Sequence, residues 1–230
     1  MPSRWRRPLI GALVVLAAAM GAAGWLAYKK LIEKGFIRYN KWDRRVRGKL
    51  RTGDQAPDVE LTRYFGSTFR LSSLWAKRPV VLVFGSCTCP PFRKKIGDLR
   101  GIYARYKEEA EFLTVYVSEA HPDDEWQTES NRKDRIVFNR PRGFEERRQA
   151  AKILVERLEY DLPVAIDSMD DQAEAAYAAW PERMYVVAAG GRIVYRGGLG
   201  PFGFDPQEME KALAAHLTAG AIPPRLRKLG

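Results

Sequence analysis

The feature that most constrains the fold is an unbroken apolar run, Val80–Phe84, followed closely by two cysteines and two prolines. Such a strand has no polar face, so it is expected to be buried on both sides within a sheet. Proline is tolerated in the first turn of a helix, because an N–H there has no helical partner. The segment therefore predicts a buried strand that ends at Phe84 and a helix over Pro90–Glu109.

Further short apolar runs alternate with helical patterns along residues 52–221, which predicts one α/β domain. Two adjacent glycines, Gly190 and Gly191, predict a hairpin near its end. The other predicted strands are Pro57–Leu61, Thr68–Leu71, Phe112–Val117, Pro163–Ile166, Met184–Val187 and Arg192–Tyr195. The other predicted helices are Phe144–Leu158, Asp170–Ala179 and Pro206–Leu217, the last with Asp205 as its N-cap. Residues 222–230 are expected to form a flexible basic tail.

The net charge of +11 is concentrated at one end of the chain. Residues 1–51 contain 13 Lys or Arg and 2 Asp or Glu, whereas acidic and basic residues balance from residue 52 onward. A nucleic-acid-binding domain would continue the basic surface into the folded part, so the charge distribution argues against nucleic acid as a partner.

Residues 8–28 carry no charge and are mostly small or aliphatic. A helix of this length spans about 31 Å, close to the thickness of a bilayer's hydrocarbon core. Residues 1–28 are therefore predicted to form a single transmembrane anchor, with a cleaved signal peptide as the alternative. Trp25 and Tyr28 favour the anchor, because aromatic residues are enriched where a span meets the interface.

The flanking charges predict which side of the membrane the domain faces. Three arginines precede the span and ten Lys or Arg follow it within residues 29–51. The positive-inside rule therefore places the domain in the cytoplasm. Arg6 and Arg7 partly match a twin-arginine export signal, which makes an extracytoplasmic or periplasmic domain the alternative. Residues 29–51 are a basic juxtamembrane linker, expected either to lie against anionic headgroups or to be solvated.

The chain has only two cysteines, Cys87 and Cys89, and both lie between the buried strand and the helix start. A helix N-terminus stabilises a thiolate, so this position predicts a reactive thiol with a lowered pKa. The alternatives are buried structural cysteines and a metal site, for which only His121 and His216 could add histidine ligands. Either Cys87 or an external thiol would then resolve oxidised Cys89.

Several segments resemble one known family. Phe84–Phe92, Phe-Gly-Ser-Cys-Thr-Cys-Pro-Pro-Phe, resembles the active-site segment of iodothyronine deiodinases, with cysteine at the selenocysteine position. Val115–Trp126 resembles the family's second signature, and Pro181–Tyr185 with Gly191–Gly198 resembles its C-terminal one. Gly53–Asp58 is similar to the opening of the wider redoxin group. The resemblance implies a thioredoxin-like fold, with a central mixed sheet flanked by helices and an N-terminal transmembrane helix.

The resemblance also implies roles for individual residues. Cys89 takes the place of the nucleophile and Cys87 that of the auxiliary cysteine, while His121 falls where the family has a substrate-contacting histidine. Pro181 is the candidate cis-proline facing the site. Apart from the resemblance, Glu119 precedes His121 in the same segment and is a further candidate for orienting or binding the substrate. The alternatives are a solvated or N-capping His121 and a Glu119 carboxylate that faces water.

Two positions differ from the family pattern. Residues 139–142 replace the stretch that holds a second histidine in the family, and Leu199 replaces a residue that is often basic. Both positions concern the holding of an iodothyronine, so the resemblance implies thiol chemistry more directly than it implies that substrate.

The function that follows is a thiol-dependent oxidoreductase that dehalogenates an aromatic, iodophenol-type substrate. A redoxin-type thiol peroxidase or reductase is the alternative, and a non-catalytic, membrane-tethered binding module is the second alternative. The expected partners are a small aromatic or peroxide substrate, a lipid bilayer and a thiol reductant such as thioredoxin or glutathione. No bound cofactor or metal is expected, and a homodimer is compatible with the sequence.

Overall fold

The computed structural model describes residues 20–27, 48–200 and 203–221. They belong to two units, one within Met1–Arg47 and one within Gly48–Gly230. In the first unit, residues 20–27 are helical. No helix among the described residues combines the length and the apolar character that a membrane span requires. Most of the predicted anchor and linker, and all of the predicted tail, lie outside the described residues.

The described part of the second unit contains a seven-stranded mixed sheet with the order β2-β1-β5-β4-β3-β6-β7. Strands β3, β4 and β5 are parallel, whereas β6 pairs antiparallel with β3, and β1 pairs antiparallel with β5. The strands are β1 (Glu60–Arg63), β2 (Thr68–Arg70), β3 (Val80–Gly85), β4 (Glu111–Tyr116), β5 (Val164–Ile166), β6 (Arg183–Val187) and β7 (Ile193–Arg196).

Strand β3 lies between β4 and β6, and all six of its residues are buried. Its side chains alternate between two apolar layers: Val81 and Val83 belong to one, and Val80, Leu82 and Phe84 to the other. The prediction of a strand buried on both faces is confirmed, because an unbroken apolar run satisfies both layers at once.

Helices cover both faces of the sheet. They are α1 (Pro90–Lys94), α2 (Ile96–Tyr106), α3 (Glu129–Asp134), α4 (Phe144–Lys152), α5 (Gln172–Tyr177) and α6 (Pro206–Ala221). The layer that holds Val81 and Val83 also takes residues of α1, α2, α4 and α6. The opposite layer takes α5 and a 3-10 helix, Leu71–Ala76. Both cysteines belong to the first layer.

The ends of α5 and α6 lie within four residues of their predicted positions, and three larger differences concern the other helices. The helix predicted over Pro90–Glu109 is divided at Lys95, where φ is −102° and ψ is 2°. The helix predicted over Phe144–Leu158 becomes π-helical at Ile153–Arg157. Helix α3 was not predicted, because its six residues, Glu-Ser-Asn-Arg-Lys-Asp, have no apolar periodicity. The predicted cap of α6 is confirmed: Asp205 Oδ1 accepts the backbone N–H of Gln207 at 3.0 Å and that of Glu208 at 3.3 Å.

Candidate active site

The cysteine loop lies at the C-terminal edge of the parallel strands. Strand β3 ends at Gly85, and Cys89 is the N-cap of α1 with extended backbone angles. Phe92 of α1 folds back over Gly85, where an added Cβ would come within 2.5 Å of the Phe92 ring. Because β3 and β4 are parallel neighbours, the residues that follow β4 reach the same edge. This topology brings Glu119 and His121 to the cysteine loop.

Cys89 forms a buried pair with a carboxyl group. Its side chain is 1% exposed, and its Sγ donates to Glu182 Oε2 at 2.8 Å. Glu182 is fully buried just before β6. Its Oε1 has no hydrogen-bond partner within the part of the chain that the structure describes, and a Cβ at Gly200 would overlap that oxygen. Burial raises the pKa of Glu182 to about 7.

The expected lowering of the Cys89 pKa is wrong. Burial raises the pKa of this thiol well above its ordinary value, and the negative charge of Glu182 raises it further. Desolvation outweighs the helix N-terminus because the sulfur is almost completely removed from water and α1 has only five residues. Cys89 is therefore a thiol whose proton is directed at a carboxylate.

Cys87 is also buried, but its sulfur faces a different element. Its Sγ donates to the carbonyl of Ala150 in α4 at 3.3 Å, and its backbone N–H donates to the Tyr116 hydroxyl at 3.1 Å. Burial raises the pKa of the Cys87 thiol, and the nearby Glu119 carboxylate adds to the rise. A disulfide between Cys87 and Cys89 would have to break the contacts of both sulfurs.

Glu119 braces the loop from the β4 side. It is 1% exposed, so the alternative that its carboxylate faces water is wrong. Its Oε2 accepts the Thr88 backbone N–H at 3.1 Å and the Thr88 hydroxyl at 2.5 Å, and its Oε1 accepts the Tyr116 hydroxyl. Oε2 thus fixes Thr88, the residue between the two cysteines, and Oε1 holds the Tyr116 hydroxyl that accepts the Cys87 backbone N–H.

His121 is held beside the same loop. It is 7% exposed, so a solvated His121 is wrong, and its backbone N–H donates to the Thr88 hydroxyl at 3.1 Å. Its Nδ1 lies 3.0 Å from the carbonyl of Trp126, whose ring contacts the imidazole edge to face at 4.4 Å. Since a carbonyl only accepts, Nδ1 carries the proton and Nε2 presents a lone pair. Burial lowers the pKa of His121, which favours the neutral ring.

Pro181 lies immediately before Glu182, and the Trp180–Pro181 peptide bond is cis. This is the conformation that the resemblance implied for Pro181. Glu182 itself belongs to the quoted C-terminal signature, but nothing in the sequence marked it as a partner of Cys89. The only available signal was an acidic residue two positions before the predicted strand Met184–Val187.

An open cavity of about 290 Å³ is lined by residues of α4 and of the segment before that helix. Ala150, whose carbonyl accepts the Cys87 thiol proton, is one of its lining residues, and Phe138, Pro141 and Ile153 supply apolar walls. In the sequence, residues 139–142 stand out only as a departure from the family pattern. The structure places Asn139 and Pro141 at this cavity.

Comparison with known proteins decides the family. A family model described as iodothyronine deiodinase matches residues 27–216. The chain belongs to the iodothyronine deiodinase family. It is 35% identical over 166 residues to the type I iodothyronine deiodinase of Xenopus laevis, and 36% identical over 171 residues to the thyroxine 5-deiodinase of Gallus gallus. Each match covers 72% of this deiodinase-family chain and just under two thirds of the relative, 64% and 63% respectively.

Solved structures define the fold of this family member. A thiol:disulfide interchange protein from Bacteroides sp. matches with a TM-score of 0.53 at 16% identity, over 74% of this chain and 91% of that protein. The thioredoxin domain of a thiol-disulfide oxidoreductase from Bacteroides vulgatus matches with a TM-score of 0.51 at 17% identity, over 74% and 99% of the two chains. The predicted thioredoxin-like α/β fold with a mixed central sheet is confirmed.

Proposed function

We propose that this protein is a membrane-anchored thiol oxidoreductase that removes halogen from an aromatic, iodophenol-type substrate, with Cys89 as the nucleophile. The observation that carries the proposal is the 2.8 Å contact between Cys89 Sγ and Glu182 Oε2. The names of the relatives, type I iodothyronine deiodinase and thyroxine 5-deiodinase, support an aromatic iodide as the substrate class.

Glu182 supplies the base that a buried thiol needs. A thiol is a weak nucleophile until it loses its proton, and Cys89 resists ionisation on its own because it is buried. A carboxylate with a pKa of about 7, in hydrogen-bond contact, can take the proton as the sulfur attacks. The pair therefore holds one transferable proton near neutral pH.

The first step balances with that proton. The carbon–iodine bond breaks, its electron pair stays on the ring carbon, and the Cys89 sulfur forms a bond to iodine. The carbon then takes the proton that passed from Cys89 to Glu182. The substrate is reduced from aryl iodide to arene, and the cysteine is oxidised to a sulfenyl iodide.

His121 is suited to hold the substrate hydroxyl. Its Nε2 presents a lone pair, because Nδ1 is engaged by the Trp126 carbonyl. A phenolic O–H can donate to this nitrogen, and partial transfer of its proton enriches the ring in electrons at the carbon that is protonated. Pro181, next to Glu182, and Glu119, which fixes Thr88, shape the site around the reacting groups.

A second thiol completes the cycle. An external thiol of the thioredoxin or glutathione class attacks the Cys89 sulfur, releases iodide and a proton, and forms a mixed disulfide. Another thiol then reduces that disulfide and restores Cys89. Cys87 can take the place of the first external thiol only after its sulfur leaves the Ala150 carbonyl.

Membrane anchoring is supported by the uncharged stretch of residues 8–28 and the basic residues that flank it. The excess of Lys and Arg in residues 29–51 supports a cytoplasmic domain, with an extracytoplasmic domain as the alternative. Protease protection in sealed vesicles distinguishes the two orientations.

The decisive experiment follows halide release. The full-length chain is incubated with a dithiol and an iodinated phenol, and iodide is measured beside Cys89→Ser and Asp205→Ala as inactive and active controls. Iodide that depends on Cys89 supports the proposal. Peroxide consumption without iodide release would instead support the thiol peroxidase alternative, and the absence of both reactions would refute both enzymatic proposals.

A further inference from the structure

Arg93, in α1, places a guanidinium group beneath the cysteine loop. Its side chain is only 7% exposed. Nη1 donates to the carbonyl of Cys87 at 2.7 Å and to Asn131 Oδ1 at 2.8 Å. Nη2 contacts Asp134 Oδ2 at 2.7 Å, and that side chain is 47% exposed. The inner half of the guanidinium thus holds the loop, and the outer half meets a solvent-facing carboxylate.

Asn131, in α3, extends this contact to the histidine segment. It is fully buried, and its Nδ2 donates to the carbonyl of Thr88 at 3.0 Å and to that of His121 at 3.3 Å. Arg93 and Asn131 together therefore bind the carbonyls of Cys87, Thr88 and His121. Buried polar groups are expensive unless they are paired, so this network defines one arrangement of the two segments.

We propose that Arg93, oriented by Asn131, is a positioning residue that holds the Cys89 loop against the His121 segment and supplies positive charge for the Cys89 thiolate. The proposal rests on the function proposed above, because it names the cation that favours the ionised nucleophile. It goes beyond that function by assigning a role to a polar network outside the reacting groups.

Several charged groups shift the pKa values of the two thiols and of the imidazole. Glu182 faces Cys89 and raises the pKa of its thiol, whereas Arg93 lowers it. Glu119 raises the pKa of the Cys87 thiol, whereas Arg93 and the Tyr116 hydroxyl lower it. Arg93 also lowers the pKa of His121, because a protonated imidazole would be repelled. One cation thus favours both a thiolate and a neutral histidine.

The direction in which the pKa of Cys89 changes when Arg93 is removed distinguishes a role of its charge from a purely structural role. If Arg93 acts by its charge, its removal raises the pKa of Cys89 and slows alkylation at a fixed pH. If Arg93 only keeps the loop closed, its removal admits water. Because burial is the largest cause of the raised pKa, the thiol pKa then falls and alkylation becomes faster.

The test uses the full-length chain with Cys87→Ser as a common background, so that Cys89 is the only thiol. Alkylation of Cys89 by a small reagent is followed by mass spectrometry at one mildly alkaline pH. Arg93→Met is expected to slow alkylation about tenfold, because loss of the cation raises the pKa of the Cys89 thiol. Arg93→Lys keeps the charge and is expected to recover most of the rate.

Asp134→Asn is the matched control, because it removes the exposed ion pair but leaves the bonds of Arg93 to Cys87 and Asn131. It is expected to leave the alkylation rate unchanged. The pKa of His121, read by NMR with His216 as the reference, is expected to rise in Arg93→Met and not in Asp134→Asn. Faster or unchanged alkylation in Arg93→Met, or an equal effect of Asp134→Asn, overturns the proposal.

These measurements need no substrate, so they separate the two proposals. If the protein releases no iodide but Cys89 alkylation responds to the Arg93 and Asp134 variants as expected, only the proposed function is refuted. Iodide release with no effect of Arg93→Met on alkylation or on the His121 pKa refutes the role of Arg93 alone.

Discussion

Replacing Glu182 by glutamine tests the proposed chemistry and its cost in stability at once. The amide cannot ionise, but its oxygen can still accept the Cys89 thiol proton in a hydrogen bond. The variant therefore keeps the shape of the site and loses only the base. Iodide release is expected to fall about 100-fold or more, the usual contribution of a positioned general base.

The stability change can be worked out from the pKa. Burial raises the pKa of Glu182 from an ordinary 4.5 to about 7. A change of this size in pKa corresponds to about 3 kcal/mol in the free energy of unfolding. The folded protein binds this proton more tightly than the unfolded chain does, so the stabilisation is complete below about pH 4.5 and is lost as the pH rises through about 7. Glu182→Gln has no such loss.

The assay is urea unfolding followed by tryptophan fluorescence over a series of pH values. Between about pH 4 and about pH 8, the free energy of unfolding should decrease by about 3 kcal/mol more in the wild type than in Glu182→Gln. The difference between two pH values is used because the amide N–H₂ would take the position of Oε1, which has no hydrogen-bond partner among the described residues. The resulting cost in stability does not depend on pH.

Glu174→Gln is the matched control. Burial also raises the pKa of Glu174 to about 7, but its carboxylate accepts the backbone N–H and the hydroxyl of Ser118 and does not contact Cys89. This variant should flatten the pH dependence of stability in the same way. The wild type and Glu174→Gln should both gain activity as the pH rises through about 7, whereas Glu182→Gln should show no such rise.

Two results would refute the reasoning. An unchanged pH dependence of stability in Glu182→Gln would mean that Glu182 does not titrate near neutral pH. A rise in activity through about pH 7 that persists in Glu182→Gln would mean that another group is the base.

Three further predictions concern the loop and the fold. After peroxide treatment, the wild type should lose two hydrogens by mass as a Cys87–Cys89 disulfide forms, whereas Cys87→Ser should gain one oxygen; a stable sulfenic acid in the wild type would contradict internal resolution. Gly85→Ala should lower the unfolding free energy by about 1–3 kcal/mol, because its Cβ would press on the Phe92 ring; an unchanged urea midpoint would contradict this packing. Asp205→Ala should cost about 1 kcal/mol by the same assay, since the cap of α6 is lost, and no loss would contradict that assignment.

Much of the fold could be predicted because its signals are local. The apolar run Val80–Phe84 occupies a central strand, and Pro90 opens the helix that follows the cysteines. Helix α3 was not predicted because it contacts the loop through a polar side chain. Asn131 is buried and binds loop carbonyls, and a buried asparagine adds nothing to the apolar periodicity from which helices are predicted. The break at Lys95 likewise left no signal in the apolar pattern.

The sequence by itself determined the strand, loop and helix that present Cys89, because neighbouring residues specify each of these elements. Only the tertiary structure decided the ionisation of that cysteine. Glu182 is 93 positions away along the chain, and the antiparallel pairing of β6 with β3 brings it to the sulfur. The helix start alone predicts a lowered thiol pKa, but the surrounding core removes water and places a carboxylate against the sulfur. Desolvation depends on the packing of the whole domain, so no local pattern reports it.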